Sequence, residues 1–150
     1  MKLLAYEVDK RSFLGIFNED ETWVYPISAA GMEYRSMKDL IREAGPSEME
    51  MLDYISKKAP GDVTGAAPVE EIKIVSPIPE PDQDIICLGI NYMDHAAESA
   101  RFQKEEFARP EKAIYFSKRV NRTNDPDGII PAHKNLTNQL DYEAELAVII

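Results

Sequence analysis

The first residues break into apolar stretches parted by short polar ones. "KLLAYEV" is followed by "DKRS", then "FLGIF", then "NEDE", then "TWVYPI". Stretches of this kind, rich in aromatic and branched side chains and separated by turn formers, predict an antiparallel meander. The punctuation then becomes helical. "SMKDLIREAG" opens on Ser36 as an N-cap and closes on Gly45 as a C-terminal stop. "SEMEMLDYISKKA" carries Ser47 and Glu50 at capping-box spacing. Gly61 and the loose "GDVTGAAPVEE" end that unit, and "IKIVSPI" reads as another strand.

"SPIPEPDQD" contains Pro77, Pro79 and Pro81. Proline continues neither a helix nor a central strand, so an extended, stiff connector is expected. We place it at residues 76–83, between a small α+β unit at 1–75 and a second unit at 84–150. Beyond it, "DIICLG" reads as a buried strand, "NYMDHAAESARFQKEEFA" as a helix and "AIYFSK" as a strand. "NDPDG" follows as a turn. "LDYEAELAVII" reads as a strand whose apolar end points to burial.

Composition narrows the classes. The chain has 150 residues, 44% of them hydrophobic, which suits a globular protein with a real core. A net charge of −10 argues against nucleic acid or an anionic membrane as partner, because phosphates are held by clustered Lys and Arg. The single cysteine, Cys87, excludes an intrachain disulfide and reads as a buried, inert thiol. The start reads as a strand rather than a signal peptide, and no run approaches membrane-spanning length. A cytoplasmic location is expected.

Two places could carry chemistry. In the last strand Asp141, Glu143 and Glu145 would share one face, since residues two apart point the same way. Such acids are either solvated or gathered on a hard cation. Mg²⁺, Mn²⁺ or Ca²⁺ would suit them, although two or three carboxylates do not complete a shell. In "ICLGINYMDHAAES" a strand ends at a glycine, Asn91 stands at the helix start, and His95 and Glu98 share a helix face. That pair is either a solvated surface contact or a general base oriented by a carboxylate. Lys118 is either a solvated lysine or an anchor for a substrate carboxylate, and His133 is a loop histidine. Thr123, Asp125, Asp127 and Gly128 imitate the opening of a calcium loop, but Lys134 stands where its bidentate acid belongs, so that reading is rejected.

Taken together, "ICLGINYMDHAAES", "AIYFSK" and "LDYEAELAVII" resemble, in order, three segments of the fumarylacetoacetate hydrolase family. The resemblance is strong over residues 78–150, and residues 1–75 are similar in layout to the family's small N-terminal domain. It implies a mixed β-sandwich roll as the catalytic fold, with a homodimer as the common assembly. It implies Glu143 and Glu145 as ligands of Mg²⁺ or Mn²⁺, His95 and Glu98 as a dyad that activates water, and Lys118 at the family's lysine position. The implied substrate is a small oxo-acid, with hydrolysis of a carbon–carbon bond in an acylpyruvate-like β-diketo acid as the leading reaction. Decarboxylation, isomerisation and hydration are the related alternatives. A third acidic ligand and most of the barrel would lie beyond Ile150, so the chain is expected to be the front part of a longer protein and inactive alone. The reading from another class is a non-catalytic fragment with a role in assembly.

Overall fold

The computed structural model describes residues 1–89, 91–92 and 112–150. Its architecture is α+β. An antiparallel five-stranded sheet runs in the order β4-β3-β2-β1-β5. The strands are β1 Leu3–Val8, β2 Arg11–Phe17, β3 Trp23–Pro26, β4 Ala67–Pro68 and β5 Lys73–Val75. The expected meander is present, and "IKIVSPI" supplies β5 on the free side of β1. The first turn is tighter than "DKRS" implied. Val8 pairs with Arg11, so only Asp9 and Lys10 remain in it. Both lie at positive φ, 50° and 64°, the two-residue turn whose twist matches that of its strands. A lysine pays a steric cost there that glycine does not. Lys10→Gly is therefore expected to stabilise the chain by about 0.5–1 kcal/mol, read as a higher urea midpoint at unchanged slope.

Alternation along the strands divides the side chains between two faces. Ile16 and Tyr25 turn toward α1 (Met37–Glu43) and α2 (Pro46–Ser56) and join Met37, Leu40, Leu52 and Ile55 in the main core. Leu4, Tyr6 and Val24 face the other way, toward Ile72 and Ile74. Gly15 belongs to this second face. A Cβ there would lie 2.9 Å from Tyr6 Cε1 and 2.8 Å from Val24 Cγ1, so its bareness lets those two side chains close over β2.

Ser36 caps α1 as expected, its Oγ accepting from the Asp39 N–H at 3.1 Å. The break between the helices is different from the reading above. Ala44 ends α1, and Gly45 opens α2 rather than stopping α1. Glu48, not Glu50, reaches back to cap, its Oε2 accepting from the Gly45 N–H at 3.1 Å. Pro46 accounts for the shift. It has no N–H to leave unsatisfied and its φ is preset for the first helical turn, so α2 starts two residues before Ser47 could cap it.

After the connector, β6 (Ile85–Gly89) pairs antiparallel with β7 (Ile114–Lys118), with Cys87 opposite Phe116. Both strands fall where expected, but the burial expected of "DIICLG" is confined to Cys87. Ile86 is 72% exposed and Tyr115 67%. A two-stranded ribbon cannot cover its own faces. "LDYEAELAVII" forms no strand, and Leu146, Val148 and Ile150 are exposed. A strand needs a neighbour for its N–H and C=O groups, and no described segment pairs with this one. The helix expected after Asn91 falls mostly on residues 93–111, outside the described residues. No helix among the described residues is long and apolar enough to cross a membrane.

Candidate functional site

The first motif ends β6 at Gly89 and turns at Asn91 and Tyr92, both exposed. His95 and Glu98 lie outside the described residues. Lys118 is the last residue of β7, directly opposite Ile85, and is exposed. Its Nζ lies 5.8 Å from the centre of the Phe116 ring, so the side chain folds back along its own strand. Glu143 and Glu145 stand on the exposed, non-strand segment near the end of the chain. Just before them, the Asp141 carboxylate accepts from the Tyr142 N–H at 2.8 Å.

One hydrogen bond joins two of these segments. The Leu146 N–H donates to Tyr92 Oη at 3.2 Å. The donor is the residue after Glu145, and the acceptor lies three residues before His95. The fold therefore brings the acidic segment against the start of the motif that holds the candidate base, across 54 residues of chain. Sequence reading placed Tyr92 in its motif and assigned it no contact. A tyrosine at a strand-to-helix turn is the only signal it offers, and a phenol that reaches a distant amide is not visible from spacing.

The donor chemistry of Glu143 and Glu145 suits a hard divalent cation. The number of donors is short of a complete site: the described residues contain no group of three or more His, Cys, Asp and Glu able to hold a metal. The calcium-like loop is put to another use. Asp125 accepts from the Ser76 N–H at 2.9 Å and from Lys73 Nζ at 3.2 Å. These two donors hold its carboxyl below the usual carboxylate range. The turn itself is as expected, the Gly128 N–H donating to the Asp125 carbonyl at 3.0 Å. A groove of about 520 Å³ runs between Val69, Ile72 and Ile74 on one side and Asn124–Gly128 on the other. None of the candidate catalytic or metal residues lines it among the described residues.

Comparison with known proteins assigns the segment that holds both motifs. The family model for the fumarylacetoacetate (FAA) hydrolase C-terminal domain matches residues 84–150. The oxaloacetate tautomerase YisK of Bacillus subtilis is 40% identical over 160 residues, covering 100% of this chain and 52% of that protein. Over residues 84–150 the chain matches the fumarylacetoacetate hydrolase family. Less similar relatives include an uncharacterized protein of Staphylococcus epidermidis, 28% identical over 160 residues, and one of Staphylococcus aureus, 27% identical over 162 residues. Each covers 100% of this chain and 51% of the relative. The chain thus spans about half the length of the curated relatives it matches. The family match begins at residue 84, immediately after the proline-rich connector.

Proposed function

We propose that the full-length protein is a divalent-metal-dependent enzyme that interconverts the keto and enol forms of a small 2-oxo acid of the oxaloacetate type. Two findings support this reading. The relative with 40% identity along the whole of this chain is an oxaloacetate tautomerase. The Leu146 N–H, one residue after Glu145, donates to Tyr92, three residues before His95 in sequence, and this contact is the observation that carries the proposal. Carbon–carbon hydrolysis of a β-diketo acid is the second reading, drawn from the family's name and from the same pair of motifs.

Glu143 and Glu145 would hold Mg²⁺ or Mn²⁺, with further donors from water and substrate. When bound, such an ion supplies Lewis acidity that makes the C–H beside the substrate carbonyl easier to ionise. His95, kept in one orientation by Glu98, would accept that proton, and the proton returned to the carbonyl oxygen completes the keto-to-enol change. In the hydrolytic reading the same imidazole would take its proton from water. Lys118 would receive the substrate carboxylate, giving an acidic chain the local cation that an anionic ligand needs.

The test is spectroscopic. Full-length protein, stripped with a chelator and then resupplied with Mg²⁺ or Mn²⁺, is mixed with the enol form of oxaloacetate, and the loss of enol absorbance is followed. Metal removal is expected to slow the reaction by at least about a hundredfold, and resupply to restore it. Cleavage of an acylpyruvate without any effect on oxaloacetate would replace tautomerisation with hydrolysis. Inactivity on both would overturn the enzymatic proposal.

A further inference from the structure

The proline-rich connector is gripped from two sides. On one side α1 meets it: Lys38 Nζ donates to Asp82 Oδ1 at 2.6 Å and to the Glu80 carbonyl at 3.1 Å, while Arg42 pairs with the other Asp82 oxygen. On the other side lies the loop that follows β7. The Thr123 N–H donates to the Pro79 carbonyl at 2.9 Å, and Thr123 Oγ1 donates to the Ile78 carbonyl at 2.9 Å. The Ser76 and Thr123 hydroxyls stand 2.6 Å apart. Thr123 has one hydroxyl proton and directs it at Ile78, so Ser76 is the donor in that pair. Asp125 then takes the Ser76 N–H on one carboxylate oxygen and Lys73 on the other.

The composition of the connector explains why this works. Pro77, Pro79 and Pro81 have no N–H, so at these positions the backbone offers only carbonyls. Proline also fixes φ, which leaves the connector fewer conformations to give up when these contacts form. Thr123 supplies both kinds of donor that such a chain lacks, one from its amide and one from its hydroxyl. Ser76 is buried, so its groups need partners inside the protein, and the latch provides them.

We infer that Thr123 and Asp125 form a latch that makes the connector a fixed splice rather than a hinge, seating the loop after β7 on the N-terminal sheet. This device is independent of the reaction proposed above and holds whichever oxo-acid chemistry the protein performs. Its test is hydrogen exchange in the full-length protein. Thr123→Val keeps the side-chain shape and deletes the hydroxyl. Asp125→Ala removes the acceptor, and Asp125→Asn keeps an oxygen for the Ser76 N–H while losing the charge facing Lys73. Thr123→Val and Asp125→Ala are each expected to speed exchange at the Ser76 and Thr123 amides about tenfold, with Ile16 in β2 unchanged. Asp125→Asn is expected to fall between these and the parent, and Asp127→Asn on the same loop to match the parent. Unchanged exchange at Ser76 and Thr123 in both deletion variants would overturn the latch. Acceleration equal at Ile16 would do so too, since it would report general destabilisation. If Asp125→Ala does not fold, Thr123→Val and Asp125→Asn decide the matter alone.

Discussion

Glu143→Gln and Glu145→Gln in the full-length protein are each expected to lower metal-supported turnover by at least about a hundredfold, from the scale of lost Lewis-acid stabilisation. Glutamine keeps the shape of the side chain and one oxygen, but it removes the charge that draws a divalent ion from water. Higher Mn²⁺ should therefore recover part of the activity. His95→Ala should behave otherwise. Loss of a positioned base costs about 10²–10⁴ in rate, and no amount of metal replaces it. A titration of Mn²⁺ against kcat separates the two roles. If Glu145→Gln keeps full activity with an unaltered metal dependence, the assignment of the acidic pair fails.

Leu52→Ala is expected to destabilise the N-terminal sheet-and-helix unit by about 2–5 kcal/mol, the range for emptying a well-packed leucine site. Leu52 is fully buried in α2, within the same cluster as Ile16, Tyr25 and Leu40. Tyr25 also spans that core, its hydroxyl donating to the Lys58 carbonyl at 2.8 Å, so the surroundings have little freedom to collapse into the space. Met51 is the neighbouring residue on the same helix and is 46% exposed. Met51→Ala should change stability by no more than about 0.5 kcal/mol. The comparison is made by chemical denaturation. Equal effects at the two positions would show that α2 does not pack as described.

Much of the first half was legible in the sequence because its signals are local. The strands at "KLLAYEV", "FLGIF" and "TWVYPI" follow from their composition and from the turn formers between them. Ser36 could be named as a cap because capping is a contact between residues three apart. The error at Gly45 is also local. Glycine serves either end of a helix, and the adjacent Pro46 decides which. In the second half, β6 and β7 were legible, whereas their exposure and the non-strand conformation of "LDYEAELAVII" were not. Apolar periodicity states which residues prefer burial, and it carries no record of the surface that covers them.

The candidate site divides in the same way. The sequence by itself put forward the acidic pair and the His95–Glu98 spacing as candidates and carries the match of residues 84–150 to the family, because each is a pattern of residue types at fixed separations. It also gave the expectation of a stiff connector, since proline fixes φ without help from other residues. Only the tertiary structure decided that Tyr92 meets Leu146 and that Thr123 and Asp125 close on Ser76 and its connector. Those contacts join residues 54, 47 and 49 positions apart. Their partners are chosen by how two sheets and a helix pair come to rest, which is a property of the packed chain and of no single segment.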